Sequence, residues 1–339
     1  MNISDTLIIG GGPAGLYASF YAGLRGMSVQ LIDHHSELGG KLNIYPEKII
    51  WDIGGIPPQP AEDIKQQMIT QAKTFHPEIH VSTTCQSVIR HADHFETVTD
   101  RGSFYSRTLI IASGRGIFTP VRLKIEGAEA YELTNLHYTV KRLERFKGRN
   151  VLISGAGNTA VDWADALSEV AASVTMVYRS EEMKGHEAMI ASLHRKDNIQ
   201  MCAQCEIEML HPNDAGDAIA SVKLNNGLSL NVDDVLVSHG YESNCEFLNS
   251  LEGDIRYNDH QMIKTHDVAD TPVPGIYACG DQIVYDGKVR LIAGCFTEAA
   301  QAANHAKTFI KSDAPEDGMV SSHNDIFKEK NKALIRKMH

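Results

Sequence analysis

Two glycine-rich turns, far apart in the chain, constrain the fold more than any other feature. Gly10-Gly11-Gly12-Pro13-Ala14-Gly15 follows the apolar stretch Leu7-Ile8-Ile9 and precedes a helical pattern through Tyr17, Phe20 and Tyr21. Gly155-Ala156-Gly157-Asn158-Thr159-Ala160 follows Asn150-Val151-Leu152-Ile153 and opens a helical run to Ala171. Strand, glycine turn and helix together form a dinucleotide-binding pattern. The first glycine (Gly10, Gly155) permits a tight turn, and the second (Gly12, Gly157) lets the backbone approach a pyrophosphate. The third position (Gly15, with Ala160 in the second copy) lets helix and strand pack closely. The helix then faces the phosphates with unpaired N–H groups and the positive end of its dipole.

The two turns lead into different second strands. After the first, Ser28-Val29-Gln30-Leu31-Ile32 reads as a strand ending at Asp33, where a carboxylate accepts hydrogen bonds from both ribose hydroxyls. After the second, Ser173–Val177 runs into Tyr178-Arg179-Ser180, with no carboxylate at the ribose position. Arg179 there suits a 2′-phosphate and favours NADP over NAD. Glu181 and Glu182 oppose a phosphate, so NAD use stays open. Two sites, one for a flavin and one for a nicotinamide nucleotide, imply hydride transfer between them.

The chain of 339 residues has room for two domains, and its 42% apolar and 22% charged residues suit a globular protein. The net charge of −11 argues against nucleic acid as a partner. No run of eighteen apolar residues spans a membrane, and the N-terminus lacks the basic region of a signal peptide. Six scattered cysteines point to free thiols in the cytoplasm. No metal site is expected. Residues 60–75 read as a helix, 79–110 as short strands, and 199–238 as β-rich with a turn at Asn225-Asn226-Gly227. A helix is expected from about Thr297 to Ile310, followed by a polar tail, 311–339, without clear period.

Further segments carry a family resemblance: Gly39-Gly40-Lys41-Leu42, Tyr45-Pro46-Glu47-Lys48, Asp52–Pro57, Ala278-Cys279-Gly280-Asp281 and Gly287–Ala293. With them, nearly the whole chain resembles the thioredoxin-reductase-like ferredoxin/flavodoxin–NADP reductases of bacteria. The resemblance implies an α/β fold of two Rossmann-like domains, with a nicotinamide domain (118–246) inserted into an FAD domain (1–117 and 247–339). It implies a homodimer whose partner is ferredoxin or flavodoxin. Gly12, Asp33, Lys41 and Tyr45 would contact FAD, Tyr45 by stacking on the flavin ring. The backbone near Cys85 would meet the adenine, and Phe118 would sit near the cofactor at the domain crossing. Asp281 would hold the ribityl or pyrophosphate region. A helix starting near Thr297 would stabilise negative charge on the flavin. His323 would cover the other flavin face. Beside it, Asn324 and Asp325 stand where the family has small hydroxyl residues. Tyr45 and His323 are thus the catalytic candidates, as groups that position rings.

The chain also departs from the pattern. Thioredoxin reductases carry a Cys-x-x-Cys shortly before the second glycine turn, where this chain reads Leu136-His137-Tyr138-Thr139-Val140. Electrons are therefore expected to leave the flavin directly and singly. Cys202-Ala203-Gln204-Cys205 has the spacing but lies in a strand-like stretch, Asn198–Leu210. Extended residues three apart are about 10 Å apart, and a disulfide needs Cα atoms within about 7 Å, so free thiols are expected. Of the family's nucleotide-binding arginines only Arg179 stays, with Lys184 in place of a later one. A disulfide reductase using unusual thiols and a nucleotide-binding regulator remain as alternatives. An acidic redox partner needs a basic patch: Lys141, Arg142, Arg145, Lys147 and Arg149, or Lys328, Lys330, Lys332, Arg336 and Lys337.

Overall fold

A computed structural model describes residues 2–251, 255, 257–258, 262–265 and 267–338. The chain forms two compact units. The first comprises Met1–Asn43, Ile49–Ile117 and Asn244–His339, and the second Ile44–Lys48 and Phe118–Ser243. The fold is α/β, and each unit is built on parallel strands.

In the first unit, Glu78–His80, Val29–Ile32, Ile3–Ile9 and Gly102–Ile111 pair in parallel in that order, and Ile276–Ala278 pairs with Gly102–Ile111. Such strands are covered on both faces, so they read as continuous apolar runs: Leu7-Ile8 and Leu109-Ile110-Ile111 are fully buried. Phe95–Thr99 and Cys85–Arg90 extend the sheet as an antiparallel arm. Helix α1 (Pro13–Leu24) packs on helix α5 (Ile292–Ile310). Alanines 14, 18 and 22 of one, and 299, 302 and 303 of the other, are buried, and small side chains let the axes approach. Helix α2 (Ala61–Ala72) fills the expected place after Pro60.

In the second unit, five strands lie parallel in the order Leu136–His137, Asp234–Val237, Asn150–Ser154, Ser173–Tyr178, Ile199–Ala203. Helix α3 (Asn158–Ser168) buries Val161, Trp163, Ala164 and Leu167 with Phe146 and Met176. Helix α4 (Glu187–Leu193) follows. Ile207–Pro212, Ile219–Leu224 and Ser229–Asn231 form an antiparallel sheet, turning at Gly227 with φ 85°.

Three expectations change. The helix expected from Thr297 begins at Ile292, because Gly294 does not break it. A Cβ on Gly294 would overlap the Val289 carbonyl, so glycine there permits a close approach inside the first turn. The tail, read as polar and without clear period, carries helix α6 (Lys328–Met338). Its lysines, glutamate, alanine and leucine are good helix formers, but its apolar residues Leu334 and Ile335 stay exposed and gave no burial pattern. Finally, Cys202 and Cys205 are joined as a disulfide with Cα atoms 5.8 Å apart. The strand stops at Ala203 and Gln204 turns the chain with φ 55°, so the extended spacing does not apply.

Candidate functional site

The first glycine turn is shaped by steric exclusion. Gly10 has φ 109°, and a Cβ there would lie 2.5 Å from the Ala112 carbonyl oxygen. A Cβ on Gly15 would overlap the Gly10 carbonyl, so α1 lies directly against the strand end. Gly12 caps α1 with no side-chain hydrogen bond. Asp33, 6% exposed, stands at the end of the neighbouring strand. Its Oδ2 accepts from Gly11 N–H at 2.5 Å and its Oδ1 from His35 N–H at 2.7 Å. The hydrogen bond to Asp33 raises the His35 imidazole above its ordinary value, against partial burial and with the help of the carboxylate charge. Thr83 N–H donates to the Asp33 carbonyl, which brings the segment leading into Cys85 beside the end of this strand. Burial pushes the Cys85 thiol up to about 12, which disfavours its thiolate.

Lys41 and Asp281 meet at 2.6 Å, although they lie far apart in sequence. Burial pushes the Asp281 carboxyl up, but Lys41, with Lys288 and Arg115, outweighs it and holds the group below its ordinary value. Behind Asp281 lies a cluster that sequence reasoning missed. Glu298 on α5 is fully buried; it accepts from Gly280 N–H at 2.8 Å and Tyr285 O–H at 2.9 Å, and pairs with the buried Lys288. Gly280-Asp281 is therefore anchored from behind by Glu298 and met in front by Lys41. The sequence signals were Gly280 and Lys288, each within a resemblance segment.

The second turn repeats the logic. Gly155 has φ 139°, a Cβ there would overlap the Ser238 carbonyl, and Gly157 caps α3 with open space around it. Lys184 is pinned beside the turn, its N–H donating to Ala156 O at 2.8 Å. Arg179 is exposed at the end of its strand, and no carboxylate pairs with it among the described residues. His239, also missed, binds Ser154 Oγ through Nε2 at 2.8 Å. Partial desolvation holds its imidazole below the ordinary value, and the charge of Arg179 adds to that while Glu206 opposes it. Arg179, His239 and Gly155 thus gather at the carboxyl ends of adjacent strands, where ligands of open α/β sheets bind.

The helix ends test whether dinucleotides fit. Helices α1, α3 and α5 have no side-chain cap and no acid in the first turn. Helix α2 carries Glu62 and Asp63 there, and α4 carries Glu187. An uncompensated positive helix end behind a glycine turn suits an anionic ligand.

The other candidates are dispersed. Tyr45 belongs to the second unit and packs against the cluster that contains Trp163 and Val161. Phe118 begins the longer segment of the second unit, its ring 5.6 Å from Tyr241. Thr297 lies beyond the first turn of α5 and not at its start, so any charge stabilisation comes from the N–H groups after Leu291. His323 and Asp325 are exposed in the tail, His323 bonded to Ser322 at 3.0 Å. The tail is fastened to its own unit by Phe327 against Phe75 at 5.6 Å, and by Arg25 to the carbonyls of Pro315 and Glu316. The first basic group is largely self-compensated: Arg149 pairs with buried Asp234, Arg145 donates to Thr134 O, and Lys147 pairs with Glu144. On α6, Lys328, Lys330 and Arg336 are exposed and Lys332 pairs with Glu329; the Lys337 side chain lies outside the described residues. Among the described residues, no cluster has the makings of a metal site and no helix is long and apolar enough to cross a membrane.

Residues 4–306 match the family described as pyridine nucleotide-disulphide oxidoreductase. The chain belongs to that family. It is 44% identical over 345 residues to ferredoxin–NADP reductase 1 of Bacillus mycoides, covering 98% of this chain and 97% of the relative. It is also 44% identical to ferredoxin–NADP reductase 2 of Exiguobacterium sibiricum over 341 residues, with the same coverage. Among solved structures, Lactococcus lactis thioredoxin reductase matches 91% of this chain and 99% of its own, with TM-score 0.72 and 24% identity. Bacillithiol disulfide reductase of Staphylococcus aureus matches 93% and 100%, with TM-score 0.68 and 20% identity. These two establish the thioredoxin-reductase-like fold.

Proposed function

We propose that this chain is a cytoplasmic, homodimeric FAD-dependent ferredoxin–NADP reductase, with flavodoxin as a second acceptor. The observation that carries this reading is the pair of open glycine turns, each leading to an uncapped helix, in a chain 44% identical to ferredoxin–NADP reductases over nearly its full length. The missing dithiol before Gly155 favours direct electron transfer over disulfide reduction.

When bound, FAD supplies the conversion between a two-electron donor and a one-electron acceptor, which side chains cannot. The protein's part is binding and orientation. Gly10, Gly12 and Gly15 shape the pyrophosphate cradle, and Asp33 anchors the adenosine ribose. Cys85 marks the adenine edge. Asp281, gripped by Lys41 and backed by Glu298, holds the ribityl and pyrophosphate region. The first turn of α5 offers N–H groups toward negative charge on the ring system. The family resemblance assigns Tyr45 and Phe118 to the ring system, and assigns His323 with Asp325, on the exposed tail, to the other flavin face. In the second unit, Gly155 and Gly157 cradle the NADP pyrophosphate, while Arg179, with Lys184, binds the 2′-phosphate. The basic face of α6 is the docking surface for an acidic partner.

The test is to purify the chain, identify its flavin and follow reduction of ferredoxin with NADPH and NADH. A charge-assisted hydrogen bond contributes about 1.5–3 kcal/mol, so Arg179→Gln is expected to raise KM for NADPH roughly ten- to a hundredfold and leave KM for NADH unchanged. A colourless protein that cannot be loaded with FAD overturns the reading.

A further inference from the structure

The Cys202–Cys205 bridge lies beside the segment that reads the nucleotide. Cys202 pairs in register with Val177, and Ala203 with Tyr178, on the strand that ends at Tyr178, one residue before Arg179. Beyond them Gln204 N–H donates to Ser180 O at 3.2 Å and Cys205 N–H to Tyr178 O at 3.0 Å. The carbonyls on both sides of Arg179 are thus held by the turn that the bridge closes. We propose that Cys202 and Cys205 form a reversible thiol–disulfide exchange site whose state sets how tightly Arg179 grips a 2′-phosphorylated nicotinamide nucleotide. This rests on Arg179 being the ligand of the 2′-phosphate.

A purely structural role is weak, because a bridge spanning two residues restricts the unfolded chain little. Access is asymmetric: Cys202 is half-buried, Cys205 is 3% exposed, and Ala203 and Gln204 are exposed. An incoming thiolate meets Cys202 Sγ. A new S–S bond forms there, the Cys202–Cys205 bond breaks, and Cys205 Sγ leaves with the electron pair and takes a proton. Asn226 Nδ2 lies 3.3 Å from Cys205 Sγ and 3.9 Å from Cys202 Sγ, placed to donate to the leaving thiolate. The co-reactant is a dithiol. Its second thiol attacks its own sulfur in the mixed disulfide and releases Cys202. The dithiol ends as a disulfide, and two electrons and two protons end on the cysteine pair. The other four cysteines are free, and burial raises each of their thiols above its ordinary value.

With the bridge open, nothing covalent holds Gln204 in the left-handed region, which a non-glycine residue leaves readily. The two hydrogen bonds flanking Arg179 then loosen.

The experiment compares the holoenzyme after oxidation and after treatment with excess dithiothreitol, alongside Cys202→Ser/Cys205→Ser. Thiol titration of the denatured protein is expected to find four thiols in the oxidised form and six after reduction. KM for NADPH is expected to rise at least threefold on reduction, with kcat and KM for NADH unchanged. The double variant is expected to show the reduced-form KM under both conditions. Six thiols in the oxidised preparation, or equal KM for NADPH in the two states while Arg179→Gln is impaired, overturns the proposal. Arg179→Gln with unchanged KM for NADPH overturns the nucleotide reading itself.

Discussion

At Gly15 one methyl group decides whether the first site exists. A Cβ there overlaps the Gly10 carbonyl, a backbone atom that has nowhere to go. Overpacking of this kind costs about 1–3 kcal/mol, and here the strain falls on the turn that shapes the cradle. Gly15→Ala is expected to purify with most of its flavin lost, read from the visible flavin absorbance per mole of protein. Retention of a full flavin complement would remove the turn from the site. The contrast between Gly15 and Glu298 shows what a sequence can disclose. The glycine requirement is local, set by a turn a few residues long, so it appears as a motif. The partners of Glu298, Gly280 and Lys288, come from other segments and meet only when the sheet and α5 assemble. Burial of a charge is invisible until its partner is placed.

That buried pair yields a second prediction. Lys288 and Glu298 have side chains 4% and 1% exposed. Removing one partner leaves a buried charge without its counter-charge, which costs about 3–5 kcal/mol. Lys288→Met is therefore expected to lower stability in urea more than Lys288→Met/Glu298→Gln does, because the amide removes the charge and still accepts from Gly280 N–H and Tyr285 O–H. Equal loss in the two variants would show that the pair is not coupled. Protonation at His35 gives a third. Its folded pKa is raised above the ordinary 6.5, so the stabilisation is fully present below that value and is lost as pH rises through the folded pKa. The ring is 42% exposed, so the effect on stability is small. An NMR titration is expected to place the His35 midpoint above 6.5 and Asp33→Asn to bring it down; an unmoved midpoint would break the link to Asp33.

Among elements, the helices divide by how their N-termini are treated. Helix α2 neutralises its own positive end with Glu62 and Asp63, whereas α3 begins at Asn158 with no acid in its first turn. A carboxylate at that position stabilises a free helix by about 0.3–1 kcal/mol. The same charge repels a pyrophosphate. Asn158→Asp is thus expected to leave the melting temperature without nucleotide unchanged or slightly higher, yet raise KM for NADPH and NADH alike. Arg179→Gln separates the two nucleotides, so the variants distinguish the pyrophosphate end from the 2′-phosphate end. Element types were legible wherever a short continuous apolar run was bounded by a turn, as in Leu7–Ile9 and Leu109–Ile111. Boundaries failed where one residue plays an unusual part: Gly294 sits inside a helix, and Gln204 ends a strand in a conformation that glycine ordinarily takes. The second failure hid the disulfide, since a sequence read as extended keeps its cysteines apart.

For the whole molecule, the chain leaves the first unit after Ile117 and returns to it at Asn244. The apolar clusters follow that division. Leu7, Leu109, Phe247 and Ile276 share one cluster of the first unit, whereas Trp163 and Met176, and likewise Leu152 and Val235, belong to clusters of the second. Separate cores lose their apolar contacts in separate cooperative events. A ligand that binds one folded unit stabilises that unit by about 2.7 kcal/mol at a hundred times its dissociation constant. For units of this size that is a rise of roughly 5–10 °C. Calorimetry of the FAD-free protein is therefore expected to resolve two transitions. Added FAD should raise one and NADP+ the other, and Gly15→Ala should abolish the first response alone. A single transition that rises equally with both ligands would show that the units unfold together.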